Sequence, residues 1–368
     1  MPTCSRDRHC PGRIGRRSLA LFESASSLSP GHASALSLNT RPRTVRRPAA
    51  TRGHAGAVRA AVVPRHGPAH VIEVREDWPE PEPPGEGEVL VAVEVAGLNP
   101  SDTKIRARGG PGAPGGKEPP YVAGREAAGT IIDCGPGVNG LRPGDPVFAF
   151  FGWFARPGGH AEQLVVPASM VTRRPAAVPV AESAAVPLAG LTALQALRVL
   201  DVPPGERLLV TAGAGGVGHF AVQLGALRGL EVVATAGPDN HQFVRGLGAS
   251  EVIDYHAPDA TGRVAGISYL LDAVGGDNIA AYQGVLAEAA RVVAVAGLPS
   301  VIRADVAATA IRCRPSGEEL AELADLLADG VLSATVQEVF PLARAAEAHV
   351  LLEGGHVRGK LVIQIGAR

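Results

Sequence analysis

The sequence predicts an α/β protein in which a compact antiparallel β domain is followed by a doubly wound parallel sheet. Two observations carry this prediction. Residues 58–175 contain short apolar strands separated by Pro/Gly clusters such as "PEPEPPGEGE". From about residue 180, apolar strands alternate with helical stretches, as in a parallel sheet. A chain of 368 residues is long enough for two such domains.

The strands and helices can be assigned in chain order. The strands predicted for the β domain are "AAVV", "EVLVAVEVAG", "GTIIDCG", "DPVFAFF" and "AEQLVVP". Those predicted for the parallel sheet are "LLVTAG", "EVVATAG", "EVIDY", "YLLDAVG" and "RVVAVAG", with helices at "GHFAVQLGALRG" and "NIAAYQGVLAEAA". Two amphipathic helices with a strand between them follow, and "KLVIQI" closes the chain. We expect this last part to rejoin the β domain, which gives domain boundaries of 58–178 with 305–368, and 179–304.

Charge and cysteine content exclude several classes of function. Residues 58–368 carry 25 basic and 34 acidic side chains, which argues against a nucleic-acid partner. The four cysteines have neither metal-ligand spacing nor the pattern of a disulfide framework, so a reducing compartment, the cytoplasm, is expected. Residues 208–227 lack charged side chains but are rich in glycine, so we predict no membrane span.

The first 57 residues differ in composition from the rest. They contain ten arginines and two acidic residues, and they show little apolar periodicity. This pattern fits a transit peptide, a disordered extension, or translated sequence upstream of a true start at Val58. We favour a disordered extension or translated upstream sequence over a transit peptide.

The segment "TAGAGGVGHF" (211–220) predicts a dinucleotide-binding loop. Gly213, Gly215 and Gly218 have the G-x-G-x-x-G spacing, between a buried strand and a helix. Gly216 and Val217 complete the loop. The helix N-terminus offers N–H groups and a positive dipole end to a pyrophosphate.

The end of the next strand indicates which dinucleotide binds. It reads "VVATAGPDNHQF", with no acidic residue before Asp239. A carboxylate about 4 Å from a 2′-phosphate would cost roughly 4 kcal/mol at an intermediate dielectric, so this end favours NADPH over NADH. Thr235, Asn240 and Arg245 are candidates to hold the phosphate. Asp239 could instead bind the ribose of NAD.

Several segments resemble the medium-chain dehydrogenase/reductase family, in its zinc-free quinone oxidoreductase and enone reductase branch. They are "AGLNPSDTKIR", "YVAGREAAGTI", "RPGDPVFAF", "GGHAEQ", "PLAGLTALQAL", the glycine loop, "NHQFVRGLGASEVIDY" and "GGHVRGKLVI". The similarity extends from about residue 58 to 367. It implies a GroES-like β domain, a Rossmann domain and a homodimer.

The sequence departs from the family's alcohol dehydrogenases at their zinc ligands. Asn99 stands where those enzymes have a zinc-binding cysteine, and Arg125 replaces a histidine. A catalytic zinc needs about three protein ligands, and Glu126 alone cannot supply them, so we expect no metal. We interpret Arg125 and Glu126 as a buried ion pair or a strand-end contact.

Without zinc, alcohol oxidation is poorly supported, whereas hydride transfer to a conjugated carbonyl needs only hydrogen-bond donors for the oxygen. We therefore predict an NADPH-dependent, zinc-independent oxidoreductase that transfers hydride to quinones or other conjugated carbonyl acceptors. A 2-alkenal or enone reductase and a low-turnover NADPH-binding protein are the alternatives.

The resemblance also suggests individual roles. Asn99 would hold the substrate carbonyl or the nicotinamide ribose. Lys104 and Tyr121 are further catalytic candidates, with a solvated surface lysine and a packed core tyrosine as the respective alternatives. Phe151 and Trp153 would form an apolar wall for the substrate, although part of this aromatic segment must be core. The residues expected near the cofactor are Thr192, Ala296, Gly297, Leu298 and Lys360. We interpret His160 as a packing residue and place His219 on a helix surface.

Overall fold

A computed structural model describes residues 56–108, 118–152, 154–257, 266–276 and 278–366, together with positions 260, 262 and 264. In chain order, its strands are β1 (Ala57–Val63), β2 (Glu73–Pro79), β3 (Glu88–Leu98), β4 (Tyr121–Val122), β5 (Glu126–Cys134), β6 (Pro146–Phe150), β7 (Gln163–Pro167), β8 (Val171–Arg173), β9 (Arg207–Val210), β10 (Glu231–Ala236), β11 (Glu251–Asp254), β12 (Ile267–Asp272), β13 (Leu286–Ala294), β14 (Ala307–Ala310), β15 (Val336–Pro341) and β16 (Lys360–Gln364). Its helices are α1 (Pro100–Arg108), α2 (Val180–Ala184), α3 (Pro187–Leu200), α4 (Gly218–Leu227), α5 (His241–Gly246), α6 (Asn278–Tyr282), α7 (Gly317–Ala328) and α8 (Ala345–Glu353).

The N-terminal part forms the predicted β domain. Its larger sheet has the order β15-β16-β3-β5-β6-β8, with β7 also paired to β3, and a smaller sheet has the order β2-β1-β4. Alternate residues of β3 are buried, because one face of this strand packs on the core. Strand β1 begins at Ala57, one residue before the predicted boundary. The rest of the predicted N-terminal extension, up to residue 55, lies outside the described residues.

The C-terminal strands complete the larger sheet. β16 pairs antiparallel with β3, with Leu361 opposite Leu98 and Gln364 opposite Val95. β15 then pairs parallel with β16 at the edge of the sheet. The last part of the chain therefore rejoins the β domain, as the sequence predicts, while the domain boundaries themselves stay predictions.

The parallel sheet has the strand order β11-β10-β9-β12-β13-β14. Counted from β9, this is the 3-2-1-4-5-6 order of a Rossmann fold, in which a ligand binds where the order reverses, between β9 and β12. The fold class predicted from the sequence is confirmed. Leu209, Val233, Leu270 and Val292 lie at the centre of the core beneath this sheet.

One predicted helix is shorter than expected. The segment 278–290 was predicted to be helical throughout, but α6 ends at Tyr282 and β13 begins at Leu286. Gly284 lies between them and favours the break. Leu286 pairs with Ile267 of β12, so strand pairing and burial override the helical propensity of the alanines. In the described part of the chain, no helix is long and apolar enough to span a membrane.

Candidate active site

The glycine-rich loop connects β9 to α4 where the strand order reverses. Gly215, Gly216 and Val217 are partly exposed, whereas Gly213 and Gly218 are buried. Among the described residues, the N–H groups of Gly216 and Val217 make no backbone hydrogen bond, and no side chain caps α4. These free donors at the start of a ten-residue helix suit a phosphate group.

The two buried glycines are required by close packing. A Cβ on Gly218 would lie 2.0 Å from the carbonyl oxygen of Ala212, and one on Gly213 would lie 2.8 Å from the Cβ of Ala234. Any side chain at Gly218 would therefore push the loop away from the helix. The loop fits a dinucleotide pyrophosphate because its inner glycines fold it tightly and its outer residues leave N–H groups accessible.

Thr235 supports the loop from the end of β10. Its side chain is buried, and its Oγ1 accepts a hydrogen bond from the N–H of Ala212 at 3.1 Å. Thr235 is not among the residues that line the cleft beyond the end of β10. That cleft is where we expect a 2′-phosphate, so the structure does not bring Thr235 to it.

A cleft of about 690 Å³ opens beyond the end of β10. Asn240 lines it, as expected for a cofactor-binding residue, and Asp239 lies beside it. Arg358 closes one side. Its Nε donates to Asn240 Oδ1 at 2.6 Å and its Nη2 donates to the carbonyl of Asp239 at 3.0 Å. Tyr255, His256 and His356 also line the cleft.

Sequence reasoning missed Arg358 at this position. The residue precedes β16 and lies 118 positions from Asn240 along the chain, so a search limited to the end of β10 does not find it. The nearby basic candidate, Arg245, is exposed on α5 and does not line the cleft. The motif "GGHVRGKLVI" contains Arg358, but only the fold shows where that motif packs.

A buried polar cluster lies against the other side of the glycine loop. The Nζ of Lys360 donates to Leu98 O at 2.8 Å, to Glu126 Oε1 at 2.9 Å and to Asn99 Oδ1. Asn99 Nδ2 donates to the same Glu126 Oε1 at 2.7 Å. The aliphatic chain of Lys360 passes close to Gly216, since a Cβ there would lie 3.3 Å from its Cδ.

Neighbouring residues fix this cluster in place. Glu126 Oε2 accepts a hydrogen bond from the N–H of Leu188 at 2.6 Å, in the first turn of α3. Thr192, one turn later, donates its hydroxyl to Leu188 O at 2.6 Å. Thr192, Asn99 and Lys360, three of the predicted site residues, are therefore brought together around Glu126.

Asp102 holds the backbone beneath Asn99. Its Oδ2 accepts the N–H of Asn99 at 2.9 Å and its Oδ1 accepts from Arg125 Nε at 2.8 Å. Burial alone would raise the pKa of Asp102, but the charge and hydrogen bond of Arg125 hold that pKa below its usual value. Arg125 thus forms an ion pair with Asp102, and Glu126 forms one with Lys360.

The other catalytic and substrate-binding candidates lie in different surroundings. Lys104 is exposed on α1. Tyr121 is buried in a small core with Val63 and Ile105, and burial together with the Asp102 charge raises its pKa to about 12. Phe151 is 1% exposed and belongs to the core of the larger sheet, so the structure does not place it at an open substrate wall. Trp153 lies outside the described residues.

The segment Ala296, Gly297 and Leu298 follows β13 at the carboxyl end of the parallel sheet. Its backbone contacts the loop after β12, since the N–H of Gly276 donates to Gly297 O at 3.2 Å. Gly297 has a φ of +109°, which a residue with a side chain rarely adopts. The segment lies at the edge where a Rossmann fold binds its ligand, in keeping with the expected position beside the nicotinamide.

The residues around Asn99 do not fit a catalytic zinc ion. The Glu126 carboxylate pairs with the ammonium group of Lys360, which is not a metal ligand in that form, and the Asp102 carboxylate pairs with Arg125. Across the described residues, no group of three or more His, Cys, Asp or Glu side chains is arranged to hold a metal.

Comparison with known proteins identifies the family of this chain. Residues 85–176 match the family model of the alcohol dehydrogenase GroES-like domain, and residues 247–363 match that of a zinc-binding dehydrogenase. The chloroplastic quinone-oxidoreductase QR1 of Triphysaria versicolor is 33% identical over 302 residues, covering 76% of this chain and 91% of the relative. The chain belongs to the medium-chain dehydrogenase/reductase family.

Solved structures of the medium-chain dehydrogenase/reductase family show the same fold. The quinone oxidoreductase from Coxiella burnetii is 32% identical, with a TM-score of 0.77, over 84% of this chain and all of that one. A mycobacterial protein solved in complex with NADPH is 30% identical, with a TM-score of 0.73, over the same shares of the two chains. Membership of this family supports an NAD(P)H oxidoreductase in general.

Two histidines of this medium-chain dehydrogenase/reductase are buried near the site. The sequence interpretation of His219 as a surface residue is wrong, because α4 is buried from Gly218 to Gly225. His219 Nδ1 donates to Gly215 O at 2.9 Å, and its Nε2 accepts the N–H of Thr335 at 3.4 Å. His349 packs beside His160, with ring centres 6.3 Å apart, and accepts a hydrogen bond from Arg106.

These histidines make stability depend on pH. Burial lowers the pKa of His219 to about 4 and that of His349 to about 3, against an ordinary value of 6.5. The unfolded chain then binds more protons below pH 6.5, so stability is complete above that value and falls as the pH decreases towards 4. We expect a loss of about 2 kcal/mol per histidine between pH 7 and pH 5, measured by urea unfolding.

The variant His349→Gln tests this assignment. It keeps an acceptor for Arg106 but does not titrate, so the pH-dependent loss should become smaller by the contribution of His349, about 2 kcal/mol. A free energy of unfolding that stays constant between pH 7 and pH 5 in the unmodified protein would contradict the prediction.

Proposed function

We propose that this protein is an NADPH-dependent, zinc-independent oxidoreductase that reduces quinones. The observation that carries the proposal is the cluster of Asn99, Lys360 and Glu126 against the glycine loop. It offers hydrogen-bond donors, and no metal ligand set, at the position where the family's alcohol dehydrogenases have zinc ligands. Two relatives carry the name quinone oxidoreductase, which agrees with this acceptor class.

The residues present suit reduction of a conjugated carbonyl. When bound, the cofactor supplies the hydride. Negative charge then develops on the acceptor oxygen, and a fixed amide N–H such as that of Asn99 stabilises it without rearrangement. The Ala296–Leu298 backbone and Thr192 would hold the cofactor and orient the acceptor, and solvent would supply the proton to the product oxygen.

Preference for NADPH over NADH rests on the cleft beyond β10. Arg358 is held there by Asn240 and by stacking on Phe243, with its guanidinium 5.4 Å from the ring centre. An arginine in a fixed orientation suits a 2′-phosphate, and Tyr255 adds a hydroxyl. Asp239 offers its carbonyl to Arg358, and its side chain remains the candidate for an NAD ribose.

The variant Arg358→Ala should raise the dissociation constant for NADPH by about 10- to 100-fold, because it removes a charge-assisted contact to the 2′-phosphate. The dissociation constant for NADH, which lacks that phosphate, should stay the same. Both are measured by titration of nucleotide fluorescence.

Arg245→Ala is the matched control, since Arg245 is an exposed arginine of α5 that does not line the cleft. It should leave both dissociation constants unchanged. Equal weakening of NADPH and NADH in Arg358→Ala would contradict the proposed phosphate site.

The reaction is tested with the full-length chain by following NADPH oxidation with an ortho-quinone and with a 2-alkenal, each repeated with NADH. Faster turnover of the quinone supports the proposal. Faster turnover of the 2-alkenal would assign the enzyme to alkene reduction, and tight NADPH binding without turnover of either would indicate a cofactor-binding protein.

We also propose a homodimer and a cytoplasmic location. Strand β14 lies at the edge of the parallel sheet, and its residues are exposed or half-buried, which leaves backbone groups available for a second copy. Cys134 and Cys313 are free thiols, as expected in a reducing compartment. Sedimentation velocity and fractionation of cells producing the full-length chain test the two proposals.

A further inference from the structure

We propose that Lys360 and Glu126 are positioning residues that hold the side-chain amide of Asn99 in one orientation. In that orientation one amide N–H is left to donate to the carbonyl oxygen of the acceptor. The inference rests on the proposed function. It identifies Asn99 as the residue that contacts the acceptor, and Lys360 and Glu126 as the residues that orient its amide.

The amide of Asn99 is held at both ends by opposite charges. Its Oδ1 accepts from the ammonium of Lys360, and its Nδ2 donates to the carboxylate of Glu126 at 2.7 Å. A flip of the amide would place its NH₂ group against the ammonium and its oxygen against the carboxylate. Both contacts would become repulsive, so only one orientation is stable.

Lys360 itself has no donor left for an acceptor molecule. An ammonium carries three N–H groups, and those of Lys360 donate to Leu98 O, Asn99 Oδ1 and Glu126 Oε1. Its exposed fraction is 4%, and its partner Glu126 is fully buried. Lys360 therefore acts through Asn99.

The remaining groups of the cluster are also engaged. Glu126 Oε2 accepts the N–H of Leu188 at 2.6 Å, and the N–H of Asn99 donates to Asp102 at 2.9 Å. Among the described residues, the second hydrogen of Asn99 Nδ2 has no partner. It is the donor of this cluster that forms no hydrogen bond among the described residues, and Asn99 itself is 4% exposed, so an acceptor must reach it through a narrow approach.

The kinetic test compares the unmodified protein with Asn99→Ala, with the double variant Lys360→Met/Glu126→Gln, and with all three changes together. The double variant removes both charges at once, so no buried charge is left without a partner. We expect kcat to fall at least 10-fold in Asn99→Ala and in the double variant, with NADPH affinity within threefold of the original.

The triple variant decides between positioning and independent roles. If Lys360 and Glu126 act through Asn99, the triple variant should be no slower than Asn99→Ala, because nothing remains to be positioned. If the two losses instead multiply, or if the double variant keeps full kcat, the proposal is overturned.

A second measurement uses the unmodified protein and does not depend on turnover. The chain has five asparagines, so selective ¹⁵N labelling gives few side-chain amide signals, and Asn99→Ala identifies the pair from Asn99. With NADP⁺ bound, a saturated ketone should shift one of the two amide protons and leave the other, bonded to Glu126, in place. A shift of both protons or of neither would overturn the proposal.

This titration also distinguishes failure of the positioning role of Lys360 and Glu126 from failure of quinone reduction as the proposed function. A protein that reduces none of the offered acceptors but shows the single shifted proton refutes quinone reduction while the positioning of Asn99 stands. A protein that reduces the quinone but shows no shifted proton keeps its function and loses this assignment.

Discussion

Replacing Gly218 with alanine is expected to raise the dissociation constant for NADPH by at least about 100-fold. The new Cβ would lie 2.0 Å from the carbonyl oxygen and 2.8 Å from the carbonyl carbon of Ala212, and both are backbone atoms. The loop must therefore move away from α4, which displaces the N–H groups that we propose bind the phosphate. A 100-fold change corresponds to about 2.7 kcal/mol of lost binding free energy. Isothermal titration calorimetry measures it directly.

Gly246→Ala is the matched control for this substitution. Gly246 is the last residue of α5, and a Cβ there would have no heavy atom within 4 Å. Alanine at this position should leave NADPH binding unchanged and stabilise the fold by up to about 1 kcal/mol. If Gly218→Ala binds NADPH as well as Gly246→Ala does, the glycine loop does not hold the cofactor in the way described.

Replacing Glu126 with alanine is expected to lower the free energy of unfolding by about 3–5 kcal/mol. Glu126 is fully buried and accepts hydrogen bonds from Lys360, Asn99 and Leu188. Without it, the ammonium of Lys360 remains buried without a counter-charge, and desolvation of that charge dominates the loss. Urea unfolding at pH 7 measures the difference.

An exposed ion pair provides the control. Arg156 donates two hydrogen bonds to Glu88, at 2.9 and 2.8 Å, but 56% of the Arg156 side chain is exposed. Arg156→Ala should cost no more than about 1 kcal/mol, because water replaces the lost partner. Similar losses for the two variants would mean that the cluster around Glu126 is far more hydrated than the structure indicates.

Local patterns made the fold and the glycine loop predictable. A strand, a tight turn and a helix are neighbours in sequence, so the spacing of Gly213, Gly215 and Gly218 was sufficient to identify the loop. The β domain was equally evident from its short strands and turn residues. The patterns that reveal them lie within single strands, turns and helices, each a short continuous stretch of the sequence.

The parts that sequence reasoning missed depend on long-range contacts. Arg358 reaches the cleft, and Lys360 reaches Asn99, only because β16 pairs with β3 and its preceding loop packs beside β10. Lys360 was among the predicted site residues, but its hydrogen bonds to Asn99 and Glu126 were not predictable from the sequence, and its role in cofactor binding stays a prediction. His219 was misplaced for a similar reason, since α4 has no solvent-facing side over its first two turns.

The pairing of β16 with β3 also governs when the site can form during synthesis. Lys360 and Leu98, which share a hydrogen bond, are separated by 262 residues, and β3 has β16 as its neighbour on one side. Until β16 has been synthesised, Glu126 lacks Lys360 as its partner and the Val95–Leu98 part of β3 lacks its neighbour, whereas β7 can already pair with Glu88–Ala92. The cluster around Glu126 therefore forms only after every other strand of the larger sheet has been synthesised.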